Sequence, residues 1–416
     1  MADAELERYA EMVLRGCVAF RPGDTLLIRA APAHRELAVA LADAAYRAGA
    51  ATVDAEVDDN QIYAARIRNA KKSSLGQRTS WQRLRMRELQ REDVAMVLVT
   101  GDNELDVLAS LPPDRVAEEA RRLSAAPEVR RANRNAQRRT ICSWPTREWA
   151  TRVFPDVDPQ RATRLLAKDL LSFCRVGPDD PPGAKGWTAH LAALRRRAAR
   201  LTKLDLAEVR LRDHGTDLRV KLGPFSVWRG GGERNSWGRQ VAPNVPTEEC
   251  FVSPDAAATE GTFRCSRPRS FRGRVIDGLS GEFRGGRLVR LAAKREADRD
   301  WLARFLAGIP NADRLGEIAL VDSTSRIGRT GRIYFNTLLD ENAAAHMAFG
   351  SGFAKTRSVP LGRSRYGVNR SGTHLDVMIG TDDLEATGVT SAGPGGAARR
   401  RGEMAAIVNR INDSDD

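Results

Sequence analysis

The sequence predicts an α/β N-terminal domain with a parallel sheet, followed by an α+β, antiparallel-rich C-terminal domain. Three observations carry that expectation. Residues 25–57 read strand, helix, strand, a βαβ unit whose crossover makes the two strands parallel. In the second half the pattern changes to short strands and glycine turns, with a hairpin signal at His214-Gly215-Thr216-Asp217. The chain has five histidines in 416 residues, and two of them, His346 and His374, fall among carboxylates. Imidazole mixed with carboxylate is the ligand chemistry of hydrolytic zinc, cobalt or manganese sites.

Taken in order, residues 4–16 place apolar side chains at helical spacing (Leu6, Tyr9, Ala10, Val13, Leu14). Pro22-Gly23-Asp24 turns the chain into a strand at 25–29. An alanine-rich helix over 37–48 ends at Gly49, a C-cap residue, before a strand at 51–57. The first strand is not followed by Gly-x-Gly-x-x-Gly, so the sheet carries no nucleotide signal. A buried strand is expected at 96–101, a long charged helix at 113–138 and a strand at 140–144 closed by Pro145. Helical patterns cover 146–153, 159–173 and 188–201, and the domain division is placed near residue 195, giving 1–195 and 196–416. Strands at 208–211, 218–222, 318–321 and 333–335 are expected beyond it, with helices at 296–306 and 343–349. The tail from about residue 391 is Gly/Ala/Arg-rich and then acidic, a composition expected to be poorly ordered.

Composition narrows the class. Hydrophobic residues make up 42% of the chain, enough for two cores, and no apolar run approaches the ~20 residues of a membrane span. The acidic start Met1-Ala2-Asp3-Ala4-Glu5 lacks the basic and apolar segments of a signal peptide, so a soluble cytoplasmic protein is expected. Five scattered cysteines without Cys-x-x-Cys point to neither a disulfide framework nor a thiolate metal site; Cys250, beside Glu249, reads as a small buried hydrophobe. The net charge is +13. Its two densest basic runs, residues 66–91 and 130–139, show no nucleic-acid module or interleaved aromatics. A solvated helix face is the expectation for the second run, and nucleic acid is not the expected partner.

The site signals lie close together. In His374-Leu375-Asp376-Val377-Met378-Ile379, period-two alternation puts His374 and Asp376 on one strand face and Leu375, Val377 and Ile379 on the other. Gly316-Glu317, Asp340-Glu341-Asn342, His346 and Thr247-Glu248-Glu249 supply the remaining acidic and imidazole groups. Glu341 and His346 are five apart, about 140° around an ideal helix, so they converge only if Glu341 stands at or before a helix start. Asp340-Glu341-Asn342 has the composition of such a cap.

Several ordered segments resemble the thermophilic aminopeptidase family, metallopeptidase family M29. They include Arg21-Pro22-Gly23-Asp24-Thr25-Leu26, Pro145-Thr146-Arg147-Glu148-Trp149-Ala150, Asn244-Val245-Pro246-Thr247-Glu248-Glu249-Cys250-Phe251, Leu315-Gly316-Glu317, Phe335-Asn336-Thr337-Leu338-Leu339-Asp340-Glu341-Asn342, Ala345-His346 and Asn369-Arg370-Ser371-Gly372-Thr373-His374-Leu375-Asp376. The resemblance implies metal ligands at Glu249, Glu317, Glu341, His346, His374 and Asp376, holding two divalent ions (zinc, cobalt or manganese) with Glu317 as the bridge. It implies a cytoplasmic aminopeptidase, a homodimer, that removes N-terminal residues from short peptides, with Glu317 or Glu248 shuttling the proton. Phe353 stands where the family carries a tyrosine that assists catalysis, and Tyr366 is a candidate replacement. The alternative is a related metal enzyme acting on a non-peptide small molecule, as an amide hydrolase or a one-iron ring-opening dioxygenase.

Overall fold

The computed structural model describes residues 3–101, 105–126, 138–358, 367–390 and 404–406. Four parallel strands, Thr25–Ala30, Thr52–Val57, Ala95–Thr100 and Arg138–Ser143, form the N-terminal sheet, with Ile28 in register with both Ala55 and Val97. The helices Asp3–Met12 and Arg35–Arg47 cover it, so Leu26, Ile28, Val97 and Val99 are buried among Tyr9, Met12, Leu37 and Leu41. Gly49 adopts φ +85° behind the second helix, the left-handed position of a C-terminal cap. A fifth parallel strand, Asn244–Val245, comes from the second half of the chain and pairs with Arg138–Ser143. Three residues beyond its end stands Glu248, then Glu249, so the sheet delivers two carboxylates from its carboxyl edge.

The helix Lys185–Lys203 joins the two regions. Its Trp187 and Leu191 enter the N-terminal core, and its Leu194, Ala198 and Leu201 enter the second; position 195 lies inside it. Antiparallel sheets then take over. One has seven strands in the order Arg287–Ala292, Ser280–Arg284, Thr259–Arg264, Thr216–Lys221, Leu206–Asp213, Glu385–Thr390 and Met404–Ala406. The other has five, in the order His374–Met378, His346–Gly350, Leu315–Val321, Glu249–Val252 and Arg229–Gly230. No helix among the described residues is long and apolar enough to cross a membrane.

Four local expectations are corrected. Residues 343–349 do not form a helix: His346–Gly350 is a strand flanked by two others. Ladder pairing on both sides outweighs the helical preference of Ala343-Ala344-Ala345, a weak local effect on the order of tenths of a kcal/mol per residue. Residues 333–335 are not a strand. The Asp340 carboxylate accepts the Tyr334 and Asn336 N–H groups at 2.8 and 3.1 Å, consuming donors a ladder would need. The charged helix at 113 closes at Ala125, and Arg138 begins a strand. Arg138 is also not on a solvated face: it is 1% exposed, ion-paired to Asp24 at 2.6 Å and Asp93 at 2.8 Å. The rest of that basic run up to residue 137, most of the tail beyond 390, and Tyr366 lie outside the described residues.

Candidate metal centre

Sheet register assembles the site. Glu317 is in register with Ala348, and Ala348 with Asp376, so these three form one row across neighbouring strands. The next row is Phe251, Ala319, His346 and Met378. Residues two apart share a face, which adds Glu249 and His374 to the same surface. Alternation sends Cys250, Val252, Ile318, Leu320, Met347, Phe349, Leu375 and Val377 to the opposite face, where all eight are buried in the main core. Burying that apolar face holds the polar one in place. The expected split of His374 and Asp376 from Leu375 and Val377 is what the strand shows.

Two groups of ligand atoms converge within 4.8 Å: Glu249, Glu317 and His346, and Glu317, His374 and Asp376. Glu317 belongs to both. The His346 Nε2 lies 3.1 Å from Glu249, and the His374 Nε2 lies 3.2 Å from Glu317 and 3.0 Å from Asp376. The other ring nitrogens face main-chain carbonyls, His346 Nδ1 at Ala344 O (3.2 Å) and His374 Nδ1 at Ser351 O (2.7 Å). A carbonyl can only accept, so each Nδ1 carries a proton and each Nε2 is aimed at the carboxylates, the orientation a metal-ligating histidine takes. Glu341 is buried beside these groups, in the short turn Glu341–Ala343 that ends the helix Thr337–Asp340. It follows a helix instead of capping one at its start, and it nears His346 because the chain turns extended at Ala344.

The electrostatics fit divalent cations. Ion pairs join Glu249 to His346, and Glu317 and Asp376 to His374, while the buried Arg269 guanidinium adds its field at Glu341 and Asp376. With Glu341, four buried carboxylates face two imidazoles and the field of one guanidinium. Burial and the fields of Asp376 and Glu249 push the Glu341 carboxyl well above its ordinary range. Burial raises Glu317 too, against the hydrogen bond from His374. Burial opposes the charge on His346, but Glu249 and the other carboxylates push it up to about 10; His374 rises likewise beside Asp376 and Glu317. A divalent cation would satisfy the same carboxylate oxygens and imidazole nitrogens.

The thermophilic metalloprotease family (M29) matches residues 2–404. The chain belongs to this family. Aminopeptidase T of Thermus aquaticus is 32% identical over 402 residues, covering 95% of this chain and 97% of the relative. Aminopeptidase 2 of Geobacillus stearothermophilus is 31% identical over 398 residues, covering 94% and 95%. The solved structure of wild-type AmpT from Thermus thermophilus matches with a TM-score of 0.82 at 30% identity, covering 95% of this chain and 97% of that one. A 2,5-dihydroxypyridine dioxygenase from Pseudomonas putida matches with a TM-score of 0.53 at 14% identity over 96% of this chain and 99% of that one, a likeness of fold alone. Membership makes the chain a metallopeptidase, a hydrolase acting on peptide bonds.

Within this M29 peptidase, Glu248 stands apart from both ligand groups. Its carboxylate lies 2.6 Å from Arg175 and 3.4 Å from His190, and its N–H donates to Asn342 Oδ1 at 2.7 Å. Asn342 in turn donates to Leu338 O at 2.8 Å. This buried set ties the entry of the Glu249 strand to the Glu341 turn. Arg175 and His190 carry no local motif that marks them, since each meets Glu248 across a long stretch of chain; Asn342 lies in a recognised segment, but its contact with Glu248 is not legible there. Phe353, where the family tyrosine is expected, packs its ring 5.1 Å from the His374 ring.

Proposed function

We propose that this chain is a metal-dependent aminopeptidase that removes N-terminal residues from short peptides at a dinuclear centre. The supporting observation is the pair of ligand groups that share Glu317. Glu249, Glu317 and His346 would hold one ion, and Glu317, His374 and Asp376 the other, with Glu341 completing the set. Bound there, a divalent metal supplies Lewis acidity and lowers the pKa of water.

The chain's own residues do the rest. Main-chain carbonyls at Ala344 and Ser351 fix both imidazoles in orientation. Glu317, common to both groups, would take the proton leaving the attacking water on a carboxylate oxygen left free by the ions and pass it to the departing amine. Glu248, held by Arg175 and His190, is assigned to positioning Glu249 and not to proton transfer. The His374 side chain is 28% exposed and that of His346 is 1%, so peptides approach from the His374 side. The proposal extends to a cytoplasmic homodimer whose residues 196–416 form the catalytic domain on a 1–195 support.

The test is to strip the protein with chelator and titrate it with zinc, cobalt or manganese. Calorimetry counts the ions, and leucine anilide and dipeptide cleavage follows activity. Two ions per chain with recovered cleavage support the proposal. One ion per chain, or cleavage indifferent to chelator, overturns it.

A further inference from the structure

Beside His374 the ligand-bearing face continues into an aromatic wall. The Phe353 ring lies 5.1 Å from the His374 ring and 5.4 Å from the Phe251 ring, centroid to centroid. Phe251 shares its strand face with Glu249. Both rings are half-buried. Over both sits the Lys355 ammonium, 5.4 Å from the Phe251 centroid and 5.5 Å from that of Phe353. Its Nζ lies 3.1 Å from Glu233, with the lysine side chain 32% exposed. Arg229, the register partner of Phe251, donates from Nε to the Lys355 carbonyl at 2.8 Å. Two cations against one carboxylate leave this patch positive, next to a centre made of carboxylates.

An ammonium has three donors, so the contact with Glu233 leaves capacity for a second anion. The rings remove water from one side of it, which strengthens its attraction for a negative group. An extended dipeptide spans about 7 Å, at ~3.5 Å per residue. A peptide held at the ligand groups and lying along Phe353 therefore brings a carboxylate toward Lys355.

We infer that Lys355, on the Phe251–Phe353 wall, is a specificity-determining residue that receives a carboxylate of the peptide being cut. This presupposes the aminopeptidase function proposed above. The carboxylate comes from one of two sources: an acidic side chain on the first residue, or the C-terminus of a dipeptide.

Two substrate pairs separate these sources. Leucyl-leucine against its C-terminal amide tests the terminal carboxylate, and glutamyl anilide against glutaminyl anilide tests the side chain. The holoenzyme is expected to favour the carboxylate member of one pair by about fivefold to tenfold in kcat/KM, the scale of a partly exposed charge-assisted contact. In Lys355→Met the ratio falls to about one, and Lys355→Arg retains most of it. A ratio near one for both pairs in the wild type, or a preference that survives Lys355→Met, overturns the inference alone. Failure of the wild type to cleave any of the four overturns the aminopeptidase proposal along with it. Equal melting temperatures for the arginine and methionine variants show that the comparison is between folded proteins.

Discussion

Ala348→Val tests the register of the proposed centre without touching a proposed ligand. Ala348 is fully buried in the row between Glu317 and Asp376. Neighbouring strands lie about 4.8 Å apart, so the two acidic backbones stand about 10 Å apart with the alanine methyl between them. Their carboxylates nevertheless meet one nitrogen, the His374 Nε2, at 3.2 and 3.0 Å. They converge above Ala348 because its side chain is small. Valine adds two methyl groups to that gap. Overpacking a filled site costs about 1–3 kcal/mol, which lowers the melting temperature of the stripped protein. Moving one carboxylate out of a charged contact costs about 1.5–3 kcal/mol, which is about one to two powers of ten in metal affinity. Calorimetric titration of the stripped protein reads the affinity, and a thermal melt reads the packing. Ala386→Val, at a buried position in the other sheet, controls for overpacking and is expected to leave metal affinity alone. Wild-type affinity and stoichiometry in folded Ala348→Val would refute the convergence of Glu317 and Asp376 over Ala348.

Glu317→Gln is expected to lower bound metal below one ion per chain, while Asp376→Asn or Glu249→Gln retains one; elemental analysis of the purified variants decides, and equal losses in all three would show that Glu317 has no shared role. Phe353→Tyr puts a hydroxyl beside His374 and is expected to raise turnover of leucine anilide at least about tenfold, below the full effect of one oxyanion donor; an unchanged rate means the hydroxyl is not required. Burial pushes the His34 imidazole down to about 4 from its ordinary value near 6.5, against a main-chain contact at Trp144. The unfolded chain takes up that proton first, so the stabilisation is complete above about pH 6.5 and declines as pH falls toward 4, by at most about 3 kcal/mol. His34→Leu is expected to flatten that part of a plot of urea midpoint against pH, and an unaltered slope would place the acid sensitivity in other groups.

The sequence alone determined what depends on near neighbours. Alternation along residues 374–379 separates His374 and Asp376 from the core because a strand's period acts over a few residues. The βαβ unit at residues 25–57 is legible for the same reason, with its cap at Gly49. The proposed ligand set came from family resemblance, and register is what brings most of those residues together in space. Tertiary structure decided the rest. His346 lies on a strand because two distant segments pair with it, overriding the local preference of an alanine run. Glu248 and Glu249 look equivalent in the chain, yet one meets Arg175 and His190 while the other meets His346. Ala348 has no signal in the sequence; its size matters only because register sets it between Glu317 and Asp376. Such pairings join residues tens of positions apart, and their energy comes from burying one apolar face of the whole sheet, a quantity that no short stretch of sequence contains.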